Sequence, residues 1–183
     1  MHDEQDLAAR FPAGEMDVFD QIVADHQERI ARVVHRLLDG SDDVEDVVQD
    51  VFLAALGKLG GFRGRCELST WLTTIAVNTC RSYDRRQRLQ RRVWPWLARQ
   101  ARPWSEDDQQ AECDEIHARV RRAVHGLPPK YREAIVLRYF EELPIAEIGE
   151  VLGVSTGAVE VRLCRARRRL REMLPIRPSE DGP

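Results

Sequence analysis

Strand-like alternation is nearly absent from this chain of 183 residues, and long apolar runs are missing altogether. No stretch approaches the roughly 18 consecutive apolar residues that a membrane-spanning helix needs, so no stable membrane insertion is expected. The four cysteines, Cys66, Cys80, Cys113 and Cys164, are widely and unevenly spaced, and no CxxC occurs. That pattern argues against a disulfide framework or a zinc ribbon and suits a reducing compartment. Cys113 and His117 stand four apart and could hold half a metal site, but no second pair completes it, so no metal is expected. The sequence also has no P-loop, no HExxH and no nucleophile elbow. Without a catalytic constellation, neither an enzyme, a cofactor nor a small-molecule substrate is expected. No internal repeat is visible. The opening residues MHDEQDLAARFPAGEMD are acidic and lack an apolar core, so no secretory signal is expected there.

What the chain does have is segregated charge. Hydrophobic residues make up 43% of it and charged residues 32%, which suits a soluble protein with real cores. The formal net charge is only −3, but it conceals an ordered pattern. Residues 1–60 hold 14 acids and 5 bases, and residues 61–104 hold 2 acids and 10 bases. Residues 105–115 hold 6 acids and no base, and residues 116–183 hold 9 acids and 13 bases. Any one such run is ordinarily a solvated helix face; two separate basic blocks point to more than one partner surface.

Helical periodicity dominates, and an all-α fold follows: two small helical domains joined by a flexible linker. Phe19 to Leu38 reads as an amphipathic helix whose apolar side is Phe19, Ile22, Val23, Ile30, Val33, Val34 and Leu37. A second helix runs from about Asp43 to Leu59, with Asp42 and Glu45 spaced as a capping box. A third covers about Leu68 to Arg88. Residues 89–112 combine Trp94, Trp96, Trp104, prolines and a basic-to-acidic switch, and read as the linker. Helices resume near Cys113 to His125, Pro128 to Glu141, Ile145 to Leu152 and Ser155 to Leu174. The expected layout is a tail over 1–15, a first domain over 16–88, a linker over 89–112, a second domain over 113–174 and a disordered tail over 175–183.

The clearest chemistry lies in PIAEIGEVLGVSTGAVEVRLCRARRRL. Pro144 suits a helix start, Ile148 and Leu152 supply an inner face, and Gly153 supplies a turn where positive φ is cheap. Val154 plugs the corner, and Ser155 or Thr156 can cap the next helix. In that helix Val159, Leu163, Ala166 and Leu170 fall at i, i+4, i+7 and i+11 and form the buried stripe. Gly157, Glu160, Val161, Cys164 and Arg165 then face outward near the N-terminus, where a recognition helix meets base edges in the major groove. From Arg162 to Arg171 there are six arginines in ten residues. Arg162 and Arg165 stand near enough to the start to reach bases or adjacent phosphates. Arg167, Arg168, Arg169 and Arg171 lie further along and suit the DNA backbone. Glu160 has two readings: it accepts a hydrogen bond from cytosine N4, or it pairs with an arginine one turn away.

In the first half, Val44, Val47, Val48, Val51, Ala55 and Leu59 share one side of the second helix. Asp46, Gln49, Asp50 and Leu53 form another stripe at i, i+3, i+4 and i+7, suited to a basic partner helix. On the third helix Leu68, Trp71, Leu72, Ile75 and Thr79 point one way, with Trp71 read as core. Thr70, Thr74, Val77, Asn78, Arg81 and Arg85 point the other, where arginines with an amide can track a backbone and read an unstacked base. Phe62 and the loop FRGRCE beside it could wedge or cradle that base. His26 and His35 read as helix-face residues rather than ligands.

Two segments resemble a known family. DVEDVVQDVFLAALGKLGGFRGRCELSTWLTTIAVNTCRSYDRRQR resembles domain 2 of extracytoplasmic-function (ECF) sigma factors, the small bacterial initiation subunits of RNA polymerase. LPPKYREAIVLRYFEELPIAEIGEVLGVSTGAVEVRLCRARRRLREML resembles their domain 4. The resemblance implies that Asp46, Gln49, Asp50 and Leu53 dock on the clamp helices of the polymerase large subunit, and that the second domain meets its flap. It implies that Phe62 and Arg63, with Asn78, Arg81 and Arg85, hold the non-template strand of the −10 element and help melt it. It implies that Ser155, Gly157, Glu160, Val161, Arg162, Cys164, Arg165 and Arg168 meet the −35 duplex. Core polymerase, promoter DNA and an inhibitory anti-sigma factor are the implied partners. The implied location is the bacterial cytoplasm, or the membrane when an anti-sigma factor holds the chain there. The sequence departs from the family at Leu143-Pro144, where a serine cap is usual, and at Glu160 and Val161, where a basic residue and a serine are frequent. The competing readings are a free-standing DNA-binding regulator and, more remotely, an enzyme.

Overall fold

The computed structural model describes residues 16–38, 43–93 and 112–174, and among these every regular element is an α-helix. In chain order they are α1 (Met16–Leu37), α2 (Val44–Leu59), α3 (Leu68–Val93), α4 (Glu112–His125), α5 (Pro129–Tyr139), α6 (Ile145–Leu152) and α7 (Thr156–Met173). They fall into two compact units: α1, α2 and α3 form the first, and α4, α5 and α7 with the body of α6 form the second. No helix among the described residues is long and apolar enough to cross a membrane. The expected tails, and residues 94–111 of the expected linker, lie outside the described residues.

In the first unit α1 packs on both α2 and α3, and α2 packs on α3. The apolar residues of α1 recur at helical spacing, and Phe19, Ile22, Ile30, Val33, Val34 and Leu37 are all buried, with Val23 half-buried. His26 fills the gap between Ile22 and Ile30 and is buried too, whereas His35 is exposed. On α2 the inner row is Val47, Val51, Phe52, Ala55 and Leu59. Each valine, phenylalanine or leucine side chain of that row contributes about 1.5–3 kcal/mol when fully removed from water.

Two expectations are corrected here. Asp42 lies outside the described residues, and the N-cap of α2 is Asp43, whose side chain makes no capping bond. Its carboxylate instead accepts the hydroxyl of Tyr83 on α3, and Gln87 donates to that hydroxyl at 2.9 Å. The start of α2 is therefore fastened by a long-range contact where the sequence suggested a local one. The second correction is the end of α3, which continues to Val93 rather than stopping at Arg88. Residues 89–93 contain no glycine or proline, so nothing local opposes the helix until Pro95.

In the second unit α5 is central. Tyr131, Glu133, Ala134, Ile135, Val136 and Leu137 are buried around it, and α7 packs along it. Arg138 donates to the Leu143 carbonyl at 2.9 Å, holding the bend between α5 and α6. Pro144 stands one position before α6, and its carbonyl accepts the Ile148 amide at 3.0 Å. It thus takes the cap position, without a side-chain oxygen to offer. Ile148 is fully buried. The turn after α6 uses Gly153 at φ 67°, and the Val154 amide returns to the Gly149 carbonyl at 2.9 Å.

Candidate nucleic-acid interface

The interface builds from α7 outward. Ser155 is its cap: the hydroxyl oxygen accepts the Ala158 amide at 3.3 Å, which leaves Thr156 as the first helical residue. Val159, Leu163 and Ala166 are buried as their spacing predicts, and Leu170 is half-buried. Helical geometry divides the rest into three rows. Gly157, Val161, Cys164 and Arg168, at i, i+4, i+7 and i+11, are all exposed and run along the centre of the outward face. Glu160, Arg167 and Arg171 form one flank, also exposed. Arg162, Arg165 and Arg169 form the other flank, turned towards α5. The arginines therefore sort by flank as well as by distance along the helix.

The α5 flank is ordered by Tyr131. The residue is 6% exposed, and Arg169 lies 5.6 Å from the ring centre, with Lys130 at 5.1 Å. The Arg165 guanidinium beside the phenol, with the positive charges of Lys130 and Arg169, holds the hydroxyl below the usual tyrosine range, against the opposing effect of burial. Arg162 is half-buried, and one terminal nitrogen is shielded from solvent without a hydrogen bond. On the other flank Glu160 makes no ion pair among the described residues, so the salt-bridge reading has no counterpart there. Arg168 and Glu172 approach at 3.9 Å as an exposed pair, an arrangement typically worth little.

In the first unit, Gly61, Phe62, Arg63, Arg65, Cys66 and Trp71 line an open hollow of roughly 300 Å³. The Phe62 and Trp71 rings meet at 5.2 Å with a 53° tilt. Trp71 is half-buried rather than core. By spacing it belongs with Thr74, Asn78, Arg81 and Arg85, at i, i+3, i+7, i+10 and i+14. That row is the available one: Asn78 and Arg85 are exposed and Arg81 is half-buried. Thr70 and Val77, expected on the same face, are buried. The reason is that α3 packs against both α1 and α2, so its buried arc is wider than a one-sided helix would need. Thr73 and Thr74 satisfy their hydroxyls on the carbonyls of Ser69 and Thr70, at 2.7 and 3.0 Å.

A third surface lies on α2. Asp46, Gln49, Asp50 and Leu53 are all exposed, and Leu53 stands 67% open to solvent. No group of acids, histidines and cysteines among the described residues could hold a metal ion. Tyr131 and Lys130 carry no mark in the sequence that ties them to α7, which lies some thirty residues further along the chain.

Comparison with known proteins shows the family. Residues 22–90 match the sigma-70 region 2 family, and residues 117–170 match sigma-70 region 4. The chain belongs to the sigma-70 family of transcription initiation factors. Within it, the relatives place it in the extracytoplasmic-function class. It is 33% identical to the ECF RNA polymerase sigma factor SigM of Mycobacterium tuberculosis, over 93% of this chain and 84% of that one. It is 30% identical to the RNA polymerase sigma-H factor of Pseudomonas aeruginosa, over 93% of each. Among solved structures it resembles CnrH in complex with the cytosolic domain of CnrY, with a TM-score of 0.69, 29% identity, and coverage of 96% of this chain and 99% of that one.

Proposed function

We propose that this chain docks on core RNA polymerase through Asp46, Gln49, Asp50 and Leu53 and then holds promoter DNA at two places. The observation that carries the docking role is the α2 row itself. One leucine 67% exposed is ordinary by itself, but at the centre of a row whose other members are two acids and an amide it suits a partner helix that is basic at its edges and apolar at its centre. The first domain, 16–88 extended by the rest of α3, takes the −10 strand. Phe62 and Trp71 offer ring faces at the hollow, Arg63 stands beside them, and Asn78, Arg81 and Arg85 continue along α3. The second domain, 113–174, takes the −35 duplex through Ser155, Gly157, Glu160, Val161, Cys164, Arg165 and Arg168. Arg162 is withheld from the base-contacting set because half of it is covered.

The chain itself performs no bond chemistry in this reading; that belongs to the polymerase. CnrH is seen bound to the cytosolic domain of another protein, and by analogy an inhibitory anti-sigma partner is proposed for this chain in the bacterial cytoplasm. The test is run-off transcription with purified core enzyme on promoters mapped after overexpression. Promoter-directed transcripts are expected only when the chain is added. Asp46→Lys with Asp50→Lys should abolish polymerase binding while circular dichroism stays unchanged. Protection of duplex DNA by the chain alone, without any transcript, would instead support the free-standing regulator.

A further inference from the structure

We infer that the exposed end of α3, from Arg86 to Val93, is a docking surface for an anionic lipid bilayer, on which the chain lies without spanning it. Residues 88–90 and 93 are all exposed, and two of them are aliphatic: Leu89 is 61% open to solvent and Val93 60%. They stand one turn apart, so they form a short apolar row on one side of the helix. Arg86 and Arg88, both exposed, fall on either side of that row. Neither arginine has an acid partner among the described residues. The one acid of α3, Asp84, is half-buried and already engaged. A helix end that shows aliphatic side chains flanked by unpaired guanidinium groups has the makeup of an interfacial helix. Such a helix buries its apolar side at the headgroup boundary and pairs its cations with lipid phosphates.

The sequence carries the same chemistry onward. From Arg85 to Trp104 there are seven arginines, three tryptophans and no acid. Indole rings favour the boundary between water and lipid, where the ring is apolar and its N–H stays wet. A nucleic-acid backbone would account for the arginines, since phosphates attract cations whatever lies between them. It would not account for Leu89 and Val93, because phosphate contacts gain nothing from exposed aliphatic groups. An anionic bilayer accounts for both: its surface potential draws the arginines, and the aliphatic side chains gain on leaving water. The net charge of −3 does not decide the contact. Charges further away than about 8 Å are largely screened at physiological ionic strength, so the local block sets the sign.

The test is co-sedimentation of the full chain with vesicles of phosphatidylglycerol and phosphatidylethanolamine, set against vesicles of phosphatidylcholine alone. Binding to the anionic vesicles should be about tenfold tighter or more, and should weaken as salt is added. Arg86→Gln with Arg88→Gln should weaken it about tenfold or more. Leu89→Gln with Val93→Gln should weaken it about three- to tenfold, whereas Leu89→Trp should tighten it. Opposite shifts at one exposed position do not arise from unfolding, and circular dichroism without lipid should be the same for every variant. Duplex DNA without a promoter sequence is titrated with the same set. Equal affinity for anionic and neutral vesicles, or none for either, overturns the lipid surface. Unchanged vesicle binding by Leu89→Gln/Val93→Gln overturns it too, leaving only a general attraction of cations. If that variant weakens duplex binding while holding vesicles as tightly as the parent, the row belongs to DNA. The promoter contacts are tested separately, by run-off transcription without lipid.

Discussion

Three glycines between residues 149 and 157 should respond to alanine with three different outcomes, and the geometry of the turn sets each. A Cβ on Gly149 would stand 2.8 Å from the Val154 carbonyl oxygen, a backbone atom that cannot rotate away. The same two residues are already bonded through the Val154 amide at 2.9 Å. Forcing them apart carries an overpacking penalty of about 1–3 kcal/mol, offset by up to ~1 kcal/mol of helix propensity in α6. Gly149→Ala should therefore destabilise the second unit by roughly 1–2 kcal/mol. Gly153 has open space around it but sits at φ 67°, so Gly153→Ala should lose about 1–2 kcal/mol through the left-handed backbone alone. Gly157 has neither constraint; in an exposed helical position its alanine variant should gain roughly 0.5–1 kcal/mol. Urea unfolding of the full chain, with hydrogen exchange read over α6 and α7, separates the three. Gly149→Ala as stable as the parent would refute the close approach, and Gly157→Ala less stable than the parent would refute the assignment of open space.

Three further outcomes follow from single contacts. Glu160→Ala should raise general DNA affinity, by removing a negative charge from the duplex-facing side, and should flatten discrimination at one base pair by about 1–3 kcal/mol; unchanged selection from a randomised −35 library would show that Glu160 reads no base. Tyr83→Phe releases the carboxylate of Asp43 at the start of α2, and should lower stability of the first unit by about 1 kcal/mol in chemical denaturation. Because Arg165 and its neighbours depress the Tyr131 hydroxyl below the unfolded value, the folded chain should ionise it first as pH rises. The cluster's contribution to stability is then fully present above the unfolded pKa and is lost as pH falls through the folded one. An ultraviolet tyrosine titration should show one early phenol, and Arg165→Ala should move it towards the ordinary range.

Legibility followed the range of the forces involved. The outward row of α2 was readable because four residues at helical spacing, none needed by the core, are a local pattern; the structure leaves all four exposed. The buried stripe of α7 was readable for the same reason. On α3 the same periodicity misled. A helix packed on two neighbours buries a wide arc, so Thr70 and Val77 went inside while Trp71 moved to the outer row beside Phe62. No local pattern tells how many partners a helix has. The cap of α2 shifted to Asp43 because Tyr83, 40 residues away, claims its carboxylate. The approach of Tyr131 to Arg169 was invisible for a similar reason: it is a tertiary contact between two helices. The end of α3 was misjudged differently, because a change in composition was read as a boundary although helix propensity was uninterrupted to Val93.

The three rows of α7 give a physical account of how an acidic chain can carry so basic a helix without confusing grip with choice. Arg169 lies over the Tyr131 ring of α5, and Arg165 stands one turn before it, on the flank opposite Glu160. The central row, Gly157, Val161 and Cys164, is small and uncharged until Arg168. On the proposed reading, backbone affinity rests on the flank facing α5 and on the arginines beyond the first two turns, while discrimination rests on Glu160 and the central row. Substitutions at Glu160 and Val161 can then change which −35 sequence is preferred while leaving the phosphate contacts in place. The departure of those two residues from the usual family pattern is what such a division would permit. If affinity and preference resided in the same side chains, a carboxylate on the duplex-facing side would weaken every promoter alike.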